Sequence, residues 1–281
     1  MNTALRFLVS LAIFCFSQLS ALSQQAPLYS PEQERALGRQ LVNDVERMYK
    51  MIDDPVIVTY VNRVAQRLSE HCPAAWPIDV RVTDSDELNG DALPGGYLFV
   101  NTGVIRHSDS EAELAAVLAY LTAYVRSGGS LRMAGRPTVS NFGNIPLIFM
   151  GGWNGYAFRQ GAGLAIPAGF IQRSRTVVSE ADEGGLRCLS EAGYDPEAFV
   201  RELKNLQTVE PSIKGAPPMQ YSTHPPAAER IERIRAVMAS LEPKAGYVTN
   251  TPEFTEVKQR VELLYQQRIQ RADAPPTLRR N

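Results

Sequence analysis

The sequence predicts an α+β fold, a mostly helical domain with a small β-sheet beside one apolar helix. Three observations predict it. Apolar residues recur at helical spacing behind recognisable helix starts through most of the chain. Alternation at period two is confined to a short stretch between Ile78 and Asn101, and the helix after it, beginning near Glu111, is apolar over much of its surface. Residues 24–270 read as one domain with a helical C-terminal part, because no linker is distinct enough to separate a second one.

The first 23 residues, MNTALRFLVSLAIFCFSQLSALS, carry one cation at Arg6, an apolar run from Phe7 to Phe16 and small residues at Ala21 and Ser23. That is the layout of a secretory signal peptide cut before Gln24, so the expectation is export to the periplasm or the medium. The apolar run is short for a retained anchor, and Cys15 lacks the residues a lipoprotein signal needs. Beyond it, 28 basic residues face 30 acidic ones, a balance that suggests no nucleic-acid partner. Cys72 and Cys188 remain, and a disulfide between them and two buried free thiols are both open.

Ser30, Pro31 and Gln33 make a capping-box start for a helix to about Lys50. Asp54 and Pro55 start another, with Ile57, Tyr60, Val61, Val64 and Leu68 as its apolar stripe. Ile78, Val80 and Val82 alternate with polar residues in a half-buried strand, and the turn Leu93-Pro94-Gly95-Gly96 leads into a second strand, Tyr97 to Asn101. Ser108 and Glu111 stand in capping-box spacing before a helix whose stripe is Leu114, Val117, Leu118, Leu121 and Val125, and Gly128-Gly129 ends it. A long helix runs from about Pro167 to Ala192, Asp195-Pro196 opens the next, Pro225-Pro226 set the entry of another, and Thr251-Pro252 start a last one to about Gln270. The final RADAPPTLRRN reads as a disordered tail.

Between them, residues 141–171 are glycine-rich and apolar. Pro146, Gly151, Gly152, Arg159 and Gln160 interrupt every window of about 20 residues that could span a bilayer. The expectation is a folded loop or a membrane-touching plug, and a possible surface for a lipid or a protein.

A helix-borne zinc hydrolase needs histidines four apart, which project from one helical face, and a glutamate beside the first to act as general base, in the pattern H-E-x-x-H. The frame for it here is Tyr120-Leu121-Thr122-Ala123-Tyr124, which has neither the ligands nor the base.

Six segments in order, ALGRQLVNDVERMY, DDPVIVTYVNRVAQRL, ALPGGYLFVNTGVI, SEAELAAVLAYLTAYV, SEADEGGLRCLSEAGYDP and STHPPAAERIERI, carry a resemblance. The chain resembles the zinc metalloendopeptidase family of the HtpX heat-shock protease and the CAAX prenyl proteases, most closely its soluble, exported, BepA-like bacterial branch. The resemblance implies a minimal-gluzincin metallopeptidase fold. It places the family's first histidine at Tyr120, its catalytic glutamate at Leu121 and its second histidine at Tyr124. Its third ligand falls on Glu180, an orienting partner of a ligand histidine on Asp182, and a histidine lying over the active site on His224, all three retained. The family's N-A-F-A is Asn89-Gly90-Asp91-Ala92 here, and its helix usually continues where Gly128-Gly129 stop this one. The resemblance also implies that Gly96, Tyr97, Leu98 and Phe99 belong to an edge strand that binds an extended peptide.

The expected function is a pseudopeptidase with no cofactor, whose tyrosines fill the former site and bond to Glu180, Asp182 or His224. Glu180 would then be a buried or half-buried acceptor, His224 would pack locally, and His71 and His107 would be solvated. Peptides or unfolded protein segments are the expected partners, in a chaperone-like or scaffolding role. The alternatives are an atypical active enzyme that holds zinc through Glu180, His224 and tyrosines or water, and an assembly or membrane-surface module acting through residues 141–171.

Overall fold

The computed structural model describes residues 29–72, 74–134, 168–209, 222 and 224–273. The expected signal peptide and residues 141–167 of the glycine-rich stretch lie outside them. Helix α1 (Pro31–Met48) starts as its sequence predicts, with Ser30 Oγ accepting from the Gln33 amide at 3.3 Å and Gln33 Oε1 accepting from the Ser30 amide at 2.8 Å. Helix α2 (Pro55–His71) is capped by the Asp54 carboxylate, which accepts from the Val56 and Ile57 amides.

Among the described residues the sheet has three strands, β1 (Asp79–Thr83), β2 (Gly90–Leu93) and β3 (Tyr97–Asn101), in the order β1-β3-β2. Strand β3 runs parallel to β1 and antiparallel to β2. It is therefore central, and this corrects the expectation of an edge strand at Gly96, Tyr97, Leu98 and Phe99. The main chain of Tyr97, Leu98 and Phe99 lies between two partner strands, and their side chains are buried. Leu98 and Val100 face the main core, while Tyr97 and Phe99 pack with Leu41, Val42 and Val45 of α1. A sheet covered on both faces explains why YLFVN is apolar almost throughout.

Helix α3 (Thr102–His107), unforeseen from the sequence, precedes the central α4 (Glu111–Arg126). The expected capping box is not formed. Ser108 ends α3 and donates from Oγ to the Val104 carbonyl, whereas the amides of Glu111 and Ala112 are met by Asn250 Oδ1 and the Thr249 carbonyl from far along the chain. Leu114, Leu118, Leu121 and Val125 are buried as predicted; Val117 is only partly so. Gly128, at φ +68°, turns the chain, and a short helix α5 (Gly129–Ala134) follows.

Helices α6 (Ala168–Glu191), α7 (Glu197–Val209), α8 (Ala227–Met238) and α9 (Pro252–Asp273) complete the described fold. Helix α9 takes in the first three residues of the expected tail, Arg271 to Asp273. No helix among the described residues is long and apolar enough to cross a membrane. The buried Glu111 carboxylate accepts from the hydroxyls of Tyr60 and Tyr194 at 2.8 Å each and from Thr251, joining α2, α4, the turn after α6 and the start of α9. Cys72 and Cys188, left open by the sequence, form a disulfide across 5.3 Å between Cα atoms, tying the end of α2 to α6.

Candidate functional site

The site lies where α4 crosses α6. A Cβ on Gly185 would stand 2.9 Å from both the Cα and the amide nitrogen of Tyr120, and one on Gly184 would stand 3.2 Å from the Ala123 Cβ. At Gly185 only a residue without a side chain lets the two backbones approach this closely. The crossing brings Tyr120 and Tyr124 of α4 beside the stretch of α6 that carries Glu180 and Asp182.

Leu121 is buried and points toward the sheet. A Cβ on Gly90 would meet its Cδ1 at 2.8 Å, so the glycine of Asn89-Gly90-Asp91-Ala92 leaves the room that Leu121 needs. Asp91, beside Gly90 on β2, acts electrostatically on both tyrosines. Among the described strands, β2 is the outer one beside the site helix.

The Tyr120 hydroxyl stands 3.5 Å from His224 Nε2, the outer limit of a hydrogen bond. Its ring lies 6.3 Å from that of Tyr124, centroid to centroid, and 5.3 Å from the Arg230 guanidinium carbon. Burial raises both phenol pKa values, further lifted by nearby carboxylates, so both tyrosines are neutral at physiological pH. Burial, with Arg230 adding to it, pushes His224 down to about 3, so the imidazole is neutral. Ser222 holds the main chain of His224 through its Oγ, and Arg175 of α6 donates to the Ser222 carbonyl at 3.2 Å. His71 and His107 are exposed, and Nδ1 of His107 also contacts the Gly103 carbonyl at 2.8 Å.

The two retained carboxylates take arginines as partners, where the tyrosines were expected. Arg230 of α8 forks onto Asp182 at 2.7 and 2.9 Å, with both side chains almost fully buried. Arg132 of α5 forks onto Glu180, with Nη1 on Oε2 and Nη2 on Oε1 at 3.2 Å. The Glu180 side chain is 45 % exposed, and its bond to Arg132 lowers its pKa, so it is neither a buried acceptor nor protonated near neutral pH. Sequence reasoning missed both arginines. Arg230 lies within STHPPAAERIERI and could have been singled out, whereas no spacing or motif marks Arg132. Among the described residues, no group of three or more His, Cys, Asp or Glu side chains is placed to hold a metal ion.

The model of peptidase family M48 matches residues 53–238, which include every site position above. The chain belongs to peptidase family M48. This family member is 27 % identical over 211 residues to the beta-barrel assembly-enhancing protease of Escherichia coli K12, covering 72 % of this chain and 43 % of that protein. The same protease of Yersinia pestis is 27 % identical over 214 residues, covering 73 % and 44 %. The mitochondrial metalloendopeptidase OMA1 of Schizosaccharomyces pombe is 31 % identical over 181 residues, covering 62 % and 51 %. The chain spans less than half the length of the two bacterial relatives.

Proposed function

We propose that this M48 chain is an exported pseudopeptidase, which keeps the family's frame for holding peptide or unfolded protein segments and does not hydrolyse them. The observation that carries the reading is the chemistry of the residues on the α4–α6 crossing. Neutral, partly buried phenols are poor zinc donors, because the ion would have to drive their deprotonation. The remaining family ligand position, Glu180, is engaged by Arg132. The donor set does not fit zinc. Leu121 offers no proton acceptor where a general base, worth about 10²- to 10⁴-fold in rate, would be required.

A peptide that adds to a sheet takes its affinity from main-chain hydrogen bonds, which need no metal. Because β3 is paired on both sides, the surface to test is the part-exposed one around Tyr120 and Tyr124 of α4. Export is supported by the signal-peptide pattern and by the Cys72–Cys188 disulfide, since such bonds persist in oxidising compartments. A chaperone-like or scaffolding role in the cell envelope is the counterpart of the assembly-enhancing role named for the bacterial relatives.

The test is zinc per protein by elemental mass spectrometry on the chain from Gln24, purified without chelator, with Glu180→Ala beside it. Substoichiometric zinc in both, no cleavage of an unfolded model polypeptide and saturable binding to it are expected. Near-stoichiometric zinc that disappears in Glu180→Ala, with chelator-sensitive cleavage, would overturn the reading in favour of an atypical zinc peptidase. Liposome binding that survives Glu180→Ala but fails on shortening the segment 141–171 would favour the membrane-surface module.

A further inference from the structure

The arginine on Glu180 reaches it through the turn between α4 and α5. Gly128 takes φ +68°, a conformation that favours glycine, and redirects the backbone after α4. At Gly129, a Cβ would stand 2.9 Å from Cδ1 and Cε1 of Tyr124, so glycine again leaves the ring its space. Three residues later Arg132 lays its guanidinium on the Glu180 carboxylate. A planar fork meeting both carboxylate oxygens occupies lone pairs that a cation at Glu180 would use, and its charge persists at any pH the fold survives.

We infer that Arg132 is the resident counter-cation of Glu180, standing where a metal ion would, and that it bars divalent metal from this site independently of the absent histidines. This rests on the pseudopeptidase reading and adds to it. Replacing two ligands would suffice to lose zinc, but the fork on Glu180 opposes its return. A metal entering at Glu180 has to displace the guanidinium and then remain beside its charge.

The direct test rebuilds the imidazoles. Tyr120→His/Tyr124→His is compared with the same pair plus Arg132→Gln, and zinc dissociation constants are measured by competition with a chromophoric chelator. The chain carrying Arg132→Gln is expected to bind zinc at least about tenfold more tightly, the order expected when a unit charge beside a divalent ion is removed from a solvent-accessible site. Equal affinity, within about twofold, would overturn the inference. The native chain measured alongside separates the two questions, because stoichiometric zinc there would overturn the pseudopeptidase reading itself. Should the histidine pair prevent folding, Tyr124→His alone and Tyr124→His/Arg132→Gln take its place. The chain carrying Arg132→Gln should again bind zinc more tightly in the same competition, and equal affinity within about twofold would overturn the inference.

Discussion

Asp182 and Arg230 form the pair on which the packing of the site depends most directly. Their side chains are 1 % and 6 % exposed, and the guanidinium also lies over the Tyr120 ring. Removing one member of a buried pair strands the other's charge in a medium that solvates it poorly, at a cost of about 3–5 kcal/mol. Asp182→Ala should therefore lower the urea-denaturation free energy by that order. Replacing both members by apolar residues of similar volume should cost much less, because no unpaired charge remains. The contrast in burial with Arg132 and Glu180, 43 % and 45 % exposed, separates a pair needed for folding from one whose removal the fold should tolerate. These residue-scale partners were the least legible part of the sequence. The histidine-to-tyrosine frame at Tyr120 and Tyr124 was legible through the family resemblance, but which cation meets which carboxylate depends on α5 and α8 arriving from elsewhere in the chain.

At the scale of elements, the contact between α4 and α6 sets the site, and two neighbouring glycines allow it. In an unobstructed helix interior, Gly→Ala would stabilise by about 0.5–1 kcal/mol. At Gly185 the new methyl would meet main-chain atoms of Tyr120 and Ala119 at 2.9–3.1 Å, which cannot move without shifting α4. Gly185→Ala should therefore destabilise by about 1–3 kcal/mol and disturb the Tyr120 environment in near-ultraviolet circular dichroism. Gly184→Ala meets side-chain atoms at 3.2 and 3.3 Å and should cost clearly less in the same measurement. Helix starts at Ser30 and Asp54 were readable because each is satisfied by residues within three positions. The start of α4 was misread because its first two amides, those of Glu111 and Ala112, are met by Asn250 and Thr249, which no local pattern can announce. Strand β2 was missed for a related reason: Gly-Asp-Ala-Leu has little intrinsic preference for a strand and becomes one through pairing with β3.

Across the whole molecule, the Cys72–Cys188 disulfide closes a separation of 116 residues and fastens α6 to the end of α2. A cross-link of that span is worth about 2–5 kcal/mol, chiefly by restricting the unfolded chain. Reduction, or Cys72→Ala/Cys188→Ala, should shift the urea midpoint down correspondingly while leaving the folded far-ultraviolet spectrum unchanged. An unchanged midpoint would mean that the two sulfurs do not cross-link the protein in solution. The bond also bears on the site at a distance, since Cys188 lies on the same helix as Glu180 and Asp182.

By itself the sequence determined the α+β class, most of the helices, the family and the positions where zinc chemistry would have to sit, because each is written in local spacing or in residue identity at matched positions. Tertiary structure decided the rest. Strand Tyr97–Asn101 became the centre of the sheet, Leu121 was taken into the packing against Gly90, and the carboxylates of Glu180 and Asp182 turned to arginines rather than to tyrosines. The physical reason is common to all three: a buried or charged group takes whichever partner the packing of distant elements brings within reach, and that choice has no signature in the residues on either side of it.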